Sequence, residues 1–397
     1  MAEVLEERPE ILRNVLVLGA GASLGAREGE RVRPPAGQNL ARYLLAWLRA
    51  NDPSRTRTPV SGYSESATRN VYYVGNDLWD LPGWSEVRRE LRRLAVEEKL
   101  QHPRRRGTPF EALMSDLSRT GFRARKVLEL IRRLIAYSMN FGYQNAFIEH
   151  GDLFDDLVHI WDPDIVVTVN YDNLVEQAIV RQRRRFSYPG LPGPGGTIGY
   201  ESPDPGGEPK PMLPVFKLHG SANWLAPPSA AAGADEERVR KEALARAPRS
   251  VKSGTLDALQ GKGTFVSPNP ATLRGDLERD RNRGPVIAVY GPGKPFLQNP
   301  EDIDSHRQCC LQYLRSHHLG RVLAVGIKPA TAKDDPILRE VLTALVAARG
   351  PKRYVSPDRS DCRTFAKLGF KGRIETLAEF MNWWPRPQNR RVRRRTK

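Results

Sequence analysis

An apolar run that breaks into glycines constrains this chain most: Asn14–Leu18 reads NVLVL, and Gly19–Arg27 continues GAGASLGAR. Apolar residues with little polar alternation suit a strand buried on both faces, as in a parallel sheet covered by helices. Glycines directly after such a strand let the backbone turn tightly and approach a phosphate. No Gly-Lys-Ser/Thr follows, so the turn is not a P-loop. It also departs from G-x-G-x-x-G, because Leu24 stands at the third glycine position. A dehydrogenase turn is followed about 20 residues later by a strand ending in Asp or Glu. Here a helix-like segment, QNLARYLLAWLRAN, carries Leu40, Leu44, Leu45 and Leu48 on one side instead. The turn therefore fits a nucleotide better than it fits hydride transfer. A tight strand-to-helix turn without a ligand is the alternative.

Further apolar runs extend the pattern. DPDIVVTVNYD (Asp162–Asp172) leads into the helix-like NLVEQAIVRQ, and PMLPVFKLHGSANW (Pro211–Trp224) is a strand ending in a polar turn. Short β-type runs follow at Gly263–Pro268, Pro285–Gly291, Arg321–Ile327 and Arg353–Pro357, with helix-like HRQCCLQYLRS, PILREVLTALVAA and TLAEFMNWW among them. Strands alternating with helices predict an α/β fold: a Rossmann-like, mostly parallel sheet with helices on both faces. Residues 1–52 and 160–384 would form this domain, split by a helical insertion over 53–159. A second insertion with a short helix spans 226–262, and a basic tail occupies 385–397.

Composition excludes several classes. No segment has the length of a membrane span, and the acidic start MAEVLEERPE lacks a signal-peptide core, so a soluble cytoplasmic protein is expected. The three cysteines are Cys309, Cys310 and Cys362, with no C-x-x-C, which provides neither a disulfide framework nor a zinc ribbon. The net charge of +17 is concentrated partly in RPQNRRVRRRTK, which has seven basic residues and no acid. That tail suits a nucleic-acid or acidic-partner contact, or equally a solubilising terminus.

Three strand ends carry chemistry-bearing residues: Gly19 and Gly21, then Asn170 and Asp172, then His219 before Gly220. Ligands of open α/β sheets bind at the carboxyl ends of the strands. Asn-Tyr-Asp alone could do no more than cap the next helix, and a lone strand-end histidine is often structural. A histidine there is also suited to act as a base near neutral pH.

Together GAGAS (Gly19–Ser23), TVNYDNLVE (Thr168–Glu176) and KLHGSANW (Lys217–Trp224) resemble the sirtuin-like superfamily, in particular its prokaryotic NAD-hydrolysing anti-phage defence proteins. AVGIKPATAKDDPIL (Ala324–Leu338) resembles that family's late strand and glycine turn more weakly. The resemblance implies that NAD is bound as a substrate and that its glycosidic bond to nicotinamide is broken. Gly19, Ala20, Gly21 and Ser23 would hold the diphosphate. Asn170 and Asp172 would orient the nicotinamide ribose and the attacking water, and His219 would be the base. Gly326 and Asp334 or Asp335 would sit by the adenosine end. Deacylating sirtuins generally carry a four-cysteine zinc ribbon, so no zinc is expected here. The resemblance further implies a homo-oligomer or a separate partner, such as a DNA-translocating ATPase or a short Argonaute. An NAD-dependent deacylase or ADP-ribosyltransferase, and a non-enzymatic nucleotide- or nucleic-acid-binding module, are the rival functions.

Overall fold

The computed structural model describes residues 12–23, 96, 154–182, 184–191, 212–226, 265–266, 284–287, 300–328, 335–375 and 377–383. The helix-like segment 38–51, the 385–397 tail, nearly all of the 53–159 insertion and all but the first residue of 226–262 lie outside them.

In chain order the elements begin with β1 (Arg13–Leu18), the one-turn α1 (Ala20–Ser23), β2 (Ile165–Thr168) and α2 (Leu174–Arg181). The short β3 (Phe186–Ser187), β4 (Leu213–Lys217), β5 (Gly220–Ala226), β6 (Phe265–Val266) and β7 (Gly284–Ile287) follow. The last third contains α3 (Pro300–Ser316), β8 (Leu319–Val325), α4 (Pro336–Val346), β9 (Lys352–Ser356), α5 (Arg359–Lys367), β10 (Lys371–Ile374) and α6 (Leu377–Trp383). Seven strands form one sheet in the order β10-β9-β8-β1-β2-β4-β3, and the pairs are parallel. The fold is thus Rossmann-like α/β.

Both faces of the sheet are covered, which explains the unbroken apolar runs. Val15 and Val17 of β1, Ile165 and Val167 of β2, and Val322 and Ala324 of β8 share one core. They pack with Leu311 and Leu314 of α3, Leu338, Val341 and Leu345 of α4, and Phe365 of α5. Strand alternation puts Leu16, Leu18 and Val166 on the opposite face, where they too are buried. Helical residues 154–161 are tied to β1 through Trp161, whose indole N–H donates to Val15 O at 3.2 Å.

Two sequence-predicted runs do not belong to this sheet. Phe265–Val266 and Gly284–Ile287 flank β5 in a separate antiparallel sheet of order β6-β5-β7. The apolar run through KLHGSANW is therefore two strands. Gly220 adopts φ 78°, a conformation open mainly to glycine, and the chain leaves the parallel sheet there with His219 at the bend.

The chain connects β1 to β2 on one side, while β8 takes the other side of β1. The crevice of such a sheet opens at this switch point, at the carboxyl ends of β1 and β8. Glycines meet there backbone to backbone. A Cβ on Gly19 would lie 2.5 Å from Gly326 O, and one on Gly21 would lie 2.8 Å from Gly326 Cα. Gly326 itself has φ 63°.

Candidate active site

The carboxyl ends of β1, β2 and β4 bring the expected residues to one edge of the sheet. Thr168 pairs with Lys217 in the register of β2 on β4, so Asn170 and His219 each stand two residues beyond the same level. Asn170 is held on both sides. Its amide N–H donates to Thr168 Oγ1 at 3.0 Å, and its side-chain Nδ2 donates to Gly19 O at 3.1 Å. The β2 end is thereby fastened to the glycine turn of β1. Asp172 does hold the helix start, since its Oδ1 accepts the Leu174 amide at 3.1 Å. Asn170, Asp172 and His219 are all buried, and the Tyr171 ring lies 6.4 Å from the imidazole.

The amides of the glycine turn are engaged within the sheet edge. The amides of Gly19 and Gly21 donate to Val325 O at 2.9 Å and Gly326 O at 3.0 Å, and the Ala22 amide donates back to Gly19 O. These glycines serve the close approach of β1 to β8, so they do not offer their amides outward. Ala20 stands exposed at the turn, and Ser23 ends α1.

Asp335, expected at the adenosine end, makes two internal contacts: Oδ2 lies 2.8 Å from His219 Nε2, and Oδ1 accepts the Leu338 amide at 3.1 Å as the N-cap of α4. Burial alone would raise its pKa. The hydrogen bond from His219, the Leu338 amide and the charge of Arg307 outweigh burial and hold the carboxyl below its usual range. Asp334 lies outside the described residues.

Beneath this edge is a polar network that the sequence did not single out. Lys217, fully buried, donates to Glu176 Oε1 at 2.8 Å, to Asn173 Oδ1 at 3.4 Å and to the carbonyl of Asp172. It therefore ties the end of β4 to the turn that carries Asp172. Tyr188 donates to the same Glu176 oxygen at 3.0 Å. Burial, and then the charge and hydrogen bond of Glu176, push the Tyr188 hydroxyl well above its ordinary pKa. Arg307 Nε donates to Leu218 O at 2.7 Å, which pins the residue before His219. The only local signal was a lysine inside an apolar run.

His306 completes the network from α3. Its Nε2 accepts the Lys217 amide at 2.9 Å and its Nδ1 donates to Pro189 O at 2.6 Å, so the ring is neutral. Burial lowers its pKa to about 4, opposed by the Pro189 carbonyl and reinforced by the charges of Arg307 and Lys217. The unfolded chain binds this proton near pH 6.5, whereas the folded chain resists it down to about 4. This contribution is complete above the unfolded value and is lost as the pH falls to the folded one. Over the window it amounts to ~3 kcal/mol. The urea midpoint of the wild type should therefore drop from about pH 7 to about pH 4.5. His306→Gln, which cannot titrate, should lack that part of the drop. Parallel profiles for the two proteins would contradict this account of His306.

Among the described residues no three His, Cys, Asp or Glu side chains converge as a metal site. None of the helices formed by these residues is long and apolar enough to cross a membrane. No protein-family model matches the chain, and no curated protein matches it. Among solved structures, the chain is similar to a mutant Sir2 homologue in complex with 2'-O-acetyl ADP ribose. The identity is 12%, the match covers 93% of this chain and 88% of the other, and the TM-score is 0.33.

Proposed function

We propose that the chain is an NAD glycohydrolase, which converts NAD and water to nicotinamide, ADP-ribose and a proton. The observation that carries this reading is the meeting of Asn170, Asp172 and His219 at the carboxyl ends of neighbouring strands, with Asn170 bonded to the glycine turn of β1. A bare binding module has no use for a buried base beside an oriented amide and carboxylate.

The chemistry suits these groups. The C1'–N bond breaks with its electron pair passing to the nicotinamide ring, which leaves neutral, and the ribose carbon becomes oxocarbenium-like. A carboxylate and an amide oxygen stabilise that charge, and fixed orientation replaces the entropy cost of bringing water to C1'. Asn170 and Asp172 orient the nicotinamide ribose and the water. His219 takes the proton as the water oxygen bonds to C1', a contribution of about 10²–10⁴-fold for a positioned base. The diphosphate lies over the Gly19–Ser23 turn, where small residues permit close approach at Ala20.

An activity that drains NAD has to be restrained, and the family resemblance supports a toxic effector of anti-phage defence. It also supports release by self-assembly or by a partner such as a DNA-translocating ATPase or a short Argonaute. The basic tail (Arg386–Lys397) offers a nucleic-acid contact. The test is incubation of the full chain with NAD, with and without nucleic acid and a candidate ATPase, followed by separation of the products. Nicotinamide and ADP-ribose in equal amounts support the reading. Product formed only with an acylated-lysine peptide would replace it with deacylation.

A further inference from the structure

The imidazole of His219 has two nitrogens, and base catalysis requires that one of them hold a lone pair toward the reacting atoms. We infer that Asp335 is the positioning residue of His219, holding the ring with its hydrogen on Nε2 and so assigning proton acceptance to Nδ1. This inference rests on the glycohydrolase reading for what the proton transfer serves, and on the geometry alone for the tautomer.

Asp335 Oδ2 and His219 Nε2 are 2.8 Å apart, with side chains 1% and 7% exposed. An ionised carboxylate only accepts hydrogen bonds, so the hydrogen between them belongs to Nε2. The carboxylate is kept ionised and fixed by its second contact. Oδ1 caps α4 through the Leu338 amide, and a negative charge at a helix N-terminus is favoured by the helix dipole. Helix α4 is itself seated in the core through Leu338, Val341, Leu342 and Leu345. Core packing therefore sets the ring's orientation across a sequence separation of 116 residues. When Nδ1 takes a proton from the water or a ribose hydroxyl, the imidazolium forms against a carboxylate already in place, and the proton later passes to solvent.

Asp335→Asn separates positioning from support. The asparagine carbonyl can still cap Leu338, while its amide N–H donates to Nε2 and forces the hydrogen onto Nδ1. With seven histidines in the chain, ¹⁵N-histidine labelling of the full protein resolves the tautomers, and His219→Gln identifies the signal. The expected result is Nε2–H in the wild type and Nδ1–H in Asp335→Asn. NAD turnover in Asp335→Asn should fall in kcat by roughly 10³–10⁴-fold, as a wrong tautomer does elsewhere, with KM and melting temperature little changed. Wild-type His219 with its hydrogen on Nδ1, or Asp335→Asn retaining a third or more of wild-type kcat, would overturn the inference. If the wild type consumes no NAD, the glycohydrolase reading fails while the tautomer measurement still decides the role of Asp335.

Discussion

His219→Gln should lower NAD turnover by at least ~10²-fold, and Asn170→Ala by ~10³-fold, in a chain that remains folded. Glutamine is the informative replacement for His219, because its amide can still donate to the buried Asp335 carboxylate that alanine would leave alone. It keeps the hydrogen bond and removes the base, so its effect belongs in kcat, with KM for NAD largely retained. Asn170→Ala removes an orienting group and also the bond from Nδ2 to Gly19 O. Both kcat and KM should suffer, since the β1 turn and the β2 end are no longer fastened together. Steady-state kinetics on proteins matched by circular dichroism would check both. Either variant retaining more than about a tenth of wild-type kcat/KM would remove that residue from the chemistry.

The largest effect on stability is expected from Lys217→Met. Lys217 and Glu176 are 2.8 Å apart with side chains 0% and 4% exposed, so the methionine variant strands a carboxylate in the interior. Breaking one side of such a pair costs about 3–5 kcal/mol. The carbonyl of Asp172 and Asn173 Oδ1 lose a donor as well, so the turn carrying Asp172 is loosened and activity should fall with stability. Adding Glu176→Gln removes the stranded charge and should recover a large part of the loss, measured as the shift in urea midpoint. If Lys217→Met unfolds at the wild-type midpoint, the buried ion pair contributes nothing to the site's rigidity.

The parallel sheet was legible in the sequence because burial on both faces leaves unbroken apolar runs. β1, β2, β4 and β8 overlap the apolar runs Asn14–Leu18, Asp162–Asp172, Pro211–Trp224 and Arg321–Ile327. The helices α2, α3 and α4 were legible for the same reason, each presenting an apolar stripe to that sheet. β10 was not, because Lys371–Ile374 is an exposed edge whose residues follow no apolar alternation. α5 escaped because RSDCRTFAK buries only Cys362 and Phe365. The separate antiparallel β6-β5-β7 sheet was not legible, because a short apolar run carries no record of which strand it pairs with.

At the site, the strand ends were legible and their partners were not. Asn170, Asp172 and His219 announce themselves as polar residues directly after apolar strands. Asp335 was singled out for the adenosine end, but its contact with His219 was not legible, since that depends on where α4 packs and not on any local pattern. Lys217 and His306 read as an ordinary strand residue and an ordinary helix residue. Only the register of β2 on β4 and the seating of α3 turn them into the buried frame beneath Asp172 and His219.

The central claim is that these strand ends break the bond between ribose and nicotinamide and give the ribose to water. It is tested most directly by following NAD and its products over time with the full chain, in the presence of excess acetyl-lysine peptide. The account predicts that nicotinamide and ADP-ribose accumulate one for one, that the peptide keeps its acetyl groups, and that His219→Gln abolishes both products. Nicotinamide release that requires the peptide and yields an acetylated ADP-ribose, or NAD left intact with every nucleic acid and partner supplied, would contradict it.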